Sequence, residues 1–317
     1  MAAGGKDLLD RARQALDEAV VIVPHTDADG LAAGAIALRH RHEAADAAVL
    51  IGRGHTPFGP EAPLPQGAVA VLDWGVRPVY RPGLIVDHHA PEADPRRDQV
   101  LVSSYGEQPE VSTAPLMRRI LPDAPAWLAA VGAVGDLGDD GFKLPECAGV
   151  TKTAIRRLVP LINAPRRLPE GPVREALAIL TEADDPRQAL ADPRIMQLEA
   201  ARETWRSEFK RAVRTAPLVH EDVALIRFAS PCQVHPLVAS AWARRLSPRV
   251  VIAVNDGYLP GRVNFSVRGG TGDLRRFLRN ALPHATGEFA HGHDRATGGS
   301  LPAAEFDALL RALKIIS

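Results

Sequence analysis

The sequence predicts an α/β protein: a doubly wound, mainly parallel sheet, a helical connector, and a smaller α/β domain toward the C-terminal end, with an active-site cleft expected between the two domains. Three observations carry this reading. Short apolar runs bounded by Gly, Pro or Asp recur through the first half of the chain, as strands buried on both faces of a parallel sheet do. Segments with helical spacing alternate with them, the order that builds such a sheet. From residue 151 to about 215 the strand signal disappears, and prolines punctuate short helical pieces. The expected division is therefore 1–150, a connector at 151–215, and a second domain at 216–317.

Leu8, Leu9, Ala12, Leu16 and Ala19 recur at helical spacing, so an amphipathic helix over 7–18 opens the chain. A strand at 19–23 follows, and the turn from His25 to Asp29 feeds a run of small residues from Gly30 to Leu38, suited to a helix packed close against a sheet. Further strands are expected at 47–51, 68–72, 84–86 and 100–102, and helices at 113–121 and 125–134. Ligands of open α/β sheets bind outside the carboxyl ends of the strands. His25, Asp27, Asp29, Asp73, Asp87 and His88 fall there.

The last connector helix, at 194–214, carries Trp205, Phe209 and Val213 along one line and Arg202, Arg206, Lys210 and Arg214 along another. Both lines have the four-residue step that stacks side chains on one face. Four cations in a row can track a phosphate backbone, although charge runs more often mark a solvated face. In the second domain the pattern gives strands at 222–228, 249–254 and 262–267, and helices at 234–246, 273–282 and 302–313. Two Gly-rich loops, at 268–272 and 291–299, offer backbone N–H groups to an anion.

A chain of 317 residues suffices for two domains with buried cores. Its 38 basic and 38 acidic side chains balance, so no global charge draws it to nucleic acid or to an anionic membrane, and a polyanionic partner requires a local patch. Two cysteines far apart in sequence, Cys147 and Cys232, fit a reducing compartment better than a disulfide framework. No signal-peptide-like segment and no run of membrane-spanning length is present, so a cytoplasmic location with no membrane partner is expected.

The chemistry lies in four clusters: His25-Thr26-Asp27-Ala28-Asp29-Gly30, Leu72-Asp73-Trp74-Gly75, Val86-Asp87-His88-His89, and Gly135-Asp136 with the acidic residues after it. Singly, each has a plain structural reading. Asp27 or Asp29 would serve as a helix N-cap, Asp73 as a turn residue, and His88 as a hydrogen-bonded core histidine. Their shared location is what those readings leave unexplained. Carboxylates and imidazoles without thiolates suit Mn²⁺ or Mg²⁺. Asp27 and Asp29, two residues apart, diverge and can serve separate ions, and Asp73 from another strand can bridge them, the arrangement used in phosphoester hydrolysis.

In the order of these motifs the chain resembles the DHH phosphoesterase family, with Asp87-His88-His89 as the naming motif. The first motif is nearest to that of the RecJ-like nucleases. Gly292-His293 and Gly298-Gly299 resemble the Gly-rich motif of the family's associated C-terminal domain. The resemblance implies two Mn²⁺ ions, Mg²⁺ being possible, one held by His25, Asp27 and Asp73 and the other by Asp29, Asp73, His88 and Asp136. It further implies that His89 contacts the scissile phosphate or assists the leaving oxygen, and that Asp87 orients a histidine. Arg268, His293, Gly298 and Gly299 would receive the remainder of the substrate. The implied activity is a phosphodiesterase or exonuclease on single-stranded or short nucleic acid. Alternatives are a phosphoesterase for a small nucleotide, such as pAp or a cyclic dinucleotide, and a non-catalytic nucleic-acid-binding relative.

Overall fold

The computed structural model describes residues 3–285, 287 and 289–316, and the side chains of these except at 3–5 and 291–293. The chain forms two compact units. One comprises Met1–Arg166 and Glu170–Arg202, the other Arg167–Pro169 and Glu203–Ser317.

In the first unit, helix α1 (Ala3–Glu18) leads into β1 (Val21–Pro24) and α2 (Ala28–His40). Strands β2 (Val69–Leu72), β3 (Gly83–Asp87) and β4 (Gln99–Ser103) follow, then helices α3 (Thr113–Ile120), α4 (Ala126–Leu137), α5 (Lys152–Ile162), α6 (Val173–Glu182) and α7 (Pro186–Ala191). Helix α8 (Ile195–Ala212) spans the division between the units. The four strands are parallel in the order β1-β2-β3-β4, with Val21 opposite Val69, Leu72 opposite Val86 and Asp87 opposite Ser103. One face packs against helices through Ile22, Leu72, Leu84 and Val86, together with Leu31, Met117 and Leu128. The other is closed by irregular chain bearing Ile51, Phe58, Leu64 and Val79.

The apolar run at 47–51 does not form the strand expected of it. It follows a 3-10 turn at Ala45–Ala47 and makes one parallel bridge, Ala48 to Ile22, with the Val49 N–H donating to the Ile22 carbonyl at 2.9 Å. Two of its residues are alanines, which gain little from a pleated surface. This bridge still flanks β1 on the side away from β2, so the chain leaves β1 in both directions. Such a reversal is where open α/β sheets bind ligands.

In the second unit, β5 (Leu218–His220), β6 (Val223–Phe228), β7 (Val250–Leu259), β8 (Arg262–Gly269), β9 (Phe289–His293) and β10 (Ala296–Pro302) form a sheet in the order β5-β6-β7-β8-β10-β9. Among the described residues of this sheet, only β6 and β7 pair in parallel. Helices α10 (Leu274–Ala281) and α11 (Ala303–Ala312) share a core with Phe265, Val267 and Phe289 on one face. Helix α9 (His235–Leu246) and the end of α8 share the other with Ile226, Val251 and Ala253. The segment 291–299, expected as a Gly-rich loop, instead belongs to β9 and β10. Without side chains its glycines carry no alternating pattern, yet one of them is required by the sheet. A Cβ at Gly298 would lie 2.3 Å from the Phe265 carbonyl oxygen.

Cys147 and Cys232 are buried and form no disulfide among the described residues, and burial pushes the Cys147 pKa to about 12. Among the described residues no helix is long and apolar enough to cross a membrane.

Candidate metal centre

The carboxyl ends of three adjacent parallel strands deliver most of the site. His25 follows β1 directly, its N–H donating to the Leu72 carbonyl at 2.9 Å. Asp27 caps α2, accepting from the Gly30 N–H at 3.1 Å, and Asp29 lies fully buried in the helix's first turn. The turn is tight enough that a Cβ at Gly30 would stand 2.5 Å from the His25 carbonyl oxygen. Asp73 follows β2 with φ +67°, a left-handed conformation uncommon outside glycine and tolerated best by Asp and Asn. Asp87 ends β3, and His88 and His89 come next. Asp136 arrives from the last turn of α4.

Ligand atoms of His25, Asp27 and Asp73 lie within 4.8 Å of one another, and so do those of Asp29, Asp73, His88 and Asp136. Asp73 belongs to both sets. His25 Nδ1 is 2.9 Å from Asp27 Oδ2 and 3.8 Å from Asp73 Oδ2, while His88 Nε2 is 3.1 Å from Asp136 Oδ2 and 3.5 Å from Asp73 Oδ1. Asp87 turns its carboxylate elsewhere. Its Oδ1 meets both the His89 N–H, at 2.8 Å, and Nδ1, at 2.9 Å, and its Oδ2 accepts from the Gly75 N–H at 2.5 Å. The His89 ring is thereby fixed.

Several residues that complete the site carry no signal in the sequence. Asp29 accepts from Ser112 Oγ (2.9 Å), the Thr113 N–H (2.6 Å) and the Ala114 N–H (2.9 Å), all at the amino end of α3. Thr113 Oγ1 also donates to Asp73 Oδ1 at 2.8 Å. Gly132 of α4 makes room for Asp29, since a Cβ there would sit 2.2 Å from Asp29 Oδ1. Arg166 donates to Asp27 Oδ2 at 2.7 Å. It lies 139 residues away in sequence, and no pattern around it pointed to the site.

The electrostatics are those of an acidic nest balanced by protons. Burial opposes charge on His25, but the Asp27 and Asp73 carboxylates outweigh it and raise its pKa to about 9. Burial likewise opposes charge on His88, whose surrounding carboxylates, Asp136 and Asp73 foremost, push it to about 12. Burial pushes the Asp29 carboxyl well above the ordinary range, helped by the charges of Asp73 and Asp136, and it raises Asp136 also. Burial acts upward on Asp27 as well, yet His25 and Arg166 hold that carboxyl well below its usual value.

Two observations test whether a divalent ion suits these residues. Both ring nitrogens of His88 are buried without a hydrogen-bond partner, Asp136 being near but out of line. Buried nitrogens are seldom left so. The donor set is nitrogen and oxygen only, which suits Mn²⁺ or Mg²⁺. The residues fit the group.

In the second unit, Arg268 lies on β8, where Nη1 donates to the Val267 and Thr297 carbonyls at 2.8 and 3.1 Å. Burial pulls its pKa down. No carboxylate pairs with it among the described residues. Gly298 and Gly299 face Ser266 and Phe265 across the β10–β8 pairing. The His293 backbone ends β9, while its side chain lies outside the described residues.

With fold and site in hand, the class of fold is defined by its solved neighbours. Exonuclease RecJ bound to manganese superposes with a TM-score of 0.61 at 20% identity, covering 98% of this chain and 92% of that one. RecJ from Thermus thermophilus in complex with Mn²⁺ gives 0.61 at 18% identity over 98% of this chain, which spans only 53% of that protein. A pGpG-specific phosphodiesterase, PggH from Vibrio cholerae, gives 0.52 at 14% identity, covering 92% and 97% of the two chains. The chain thus has the two-domain α/β fold of RecJ. No protein-family model matches the sequence, and no curated protein matches it.

Proposed function

We propose that this chain is a two-metal phosphodiesterase that removes nucleotides from single-stranded or short nucleic acid. One observation carries the reading: of the three ligand sets that gather around Asp73 among the described residues, two match the expected holders of separate ions. His25, Asp27 and Asp73 would hold one ion, and Asp29, Asp73, His88 and Asp136 the other, with Mn²⁺ preferred and Mg²⁺ tolerated. Such a pair supplies positive charge to phosphate oxygens and acidifies the attacking water. The chain's own groups do the rest. Asp87 anchors His89 through Nδ1, leaving proton exchange with the leaving oxygen to Nε2. Burial lowers the His89 pKa, but the Asp87 carboxylate overcomes it and favours the protonated ring, the form that can donate. Arg268, His293 and the backbone of Gly298 and Gly299 are assigned to the rest of the substrate, Arg268 because its planar fork suits phosphate. Likeness to RecJ in fold supports the exonuclease reading.

The test is a gel time course with Mn²⁺ on end-labelled single strands of two to about twenty nucleotides, the range over which single-strand channels discriminate. A ladder of single-nucleotide steps is expected, and the label's position gives the direction of attack. Absence of cleavage at every length refutes the exonuclease reading. A second reading, hydrolysis of a small nucleotide such as pAp or a cyclic dinucleotide, is favoured by the likeness to PggH, whose length this chain matches (97% covered). Turnover of a dinucleotide without turnover of longer strands would support it.

A further inference from the structure

We propose that the groove between α8 and α9 in the second unit grips a single strand of nucleic acid by its phosphates, at a place that shares no residue with the metal centre. This rests on the nucleic-acid reading above and assigns to it a strand-holding surface. Trp205 and Phe209 of α8, half-buried against the core that also takes Val213 and Trp242, form one wall. Arg206 and Lys210 stand beside them, and α9 contributes Leu237 and Arg244. The resulting depression has a volume of about 300 Å³ and no acidic residue in its lining.

The cations make it more than a solvated helix face. Arg206, Lys210 and Arg244 are exposed, and none has a carboxylate within ion-pair distance among the described residues. Two other arginines of this unit are neutralised by carboxylates. Arg211 pairs with Glu208 at 2.7 Å and Arg227 with Asp256 at 2.8 Å. Arg167 adds a further positive charge, stacked over the Trp205 ring at 5.3 Å from its centroid. In a chain whose formal charge is zero, unpaired cations from two helices around one depression make a local positive field.

The stripe read from the sequence is also redrawn. Of Arg202, Arg206, Lys210 and Arg214, only the middle two line the groove, and the third cation, Arg244, comes from another helix. A volume near the lower end of small-molecule pockets, roughly 300 to 1,000 Å³, fits one nucleotide of a passing strand rather than an enclosed ligand. Cations beside aromatic rings are the combination that holds single strands without regard to sequence.

The experiment measures fluorescence anisotropy of a labelled twenty-residue oligothymidylate in EDTA, so that binding is read without hydrolysis, across a range of salt. The wild-type chain is compared with the triple variant Arg206→Gln, Lys210→Gln, Arg244→Gln. The variant should bind roughly tenfold more weakly, and its salt slope should flatten by about 2, as the loss of three phosphate contacts on a single strand requires. Its Mn²⁺-dependent turnover of a dinucleotide should match wild type, showing that the fold is intact. If wild type cleaves oligonucleotides while the variant binds them with unchanged affinity and slope, the groove assignment fails alone. If wild type neither binds nor cleaves them, the nucleic-acid reading falls and takes the groove with it. Equal binding of poly-glutamate and oligothymidylate by wild type also overturns the assignment.

Discussion

At the scale of single residues, Arg166 and Gly132 govern the centre without being candidates for its ligands. Arg166 donates to Asp27 Oδ2 at 2.7 Å, one of the two oxygens this carboxylate can offer a cation. Arg166→Gln should free it and tighten Mn²⁺ binding at that position by about tenfold, or about 1.4 kcal/mol. Isothermal calorimetry reads this directly, and unchanged affinity would show that the guanidinium does not compete. Gly132→Ala would place a methyl 2.2 Å from Asp29 Oδ1 and 2.5 Å from the Ala114 Cβ. Overpacking of this kind costs about 1–3 kcal/mol, so a fall in denaturant midpoint is expected together with weakened metal binding. Both residues were invisible in the sequence because they meet the site only through tertiary packing. The ligand candidates were legible for the opposite reason: each lies in a short acid or histidine cluster, most of them where an apolar run stops.

At the scale of elements, strands buried on both faces announced themselves by apolar runs, and β1 to β4 fall within a residue or two of their expected places. Two segments misled. The run at 47–51 is apolar but rich in alanine, and it contributes one bridge. The segment at 291–299 reads as loop because glycine has no side chain to alternate, yet it supplies β9 and β10. There the glycine serves close approach of two backbones. Gly298→Ala should therefore lower the melting temperature of the second unit through its clash with the Phe265 carbonyl, while leaving Mn²⁺ affinity as in wild type. Differential scanning calorimetry with a parallel Mn²⁺ titration checks both parts.

For the whole molecule, the acidic nest links stability to pH and to metal. In the ion-free chain the pKa values of His25, about 9, and His88, about 12, lie above the 6.5 of an unperturbed histidine. Their protonated forms stabilise the fold fully below pH 6.5, and that contribution is lost as pH rises through the folded values. Asp29 and Asp136, raised by burial, act in the same direction, their contribution being lost as pH rises above the ordinary carboxyl range toward their raised folded values. In chelator the melting temperature should fall by several degrees between pH 6.5 and about 9, and excess Mn²⁺ should restore it by replacing the protons. A melting temperature in chelator that holds constant over this window would contradict the account. Balanced net charge told only that any polyanion must meet a local patch. The groove of α8 and α9 could not be read from the sequence in full, because one of its cations lies on a second helix.

The measurement that tests the central claim most directly is the stoichiometry of Mn²⁺ binding by calorimetry, on wild type and on Asp73→Asn. Asparagine tolerates the left-handed backbone of that position, so the change removes a charge without imposing new strain. Because Asp73 belongs to both ligand sets, the account predicts two ions per chain for wild type and loss of both in the variant, with its fold retained. Loss of one ion alone, or unchanged binding, would contradict a shared carboxylate at the centre.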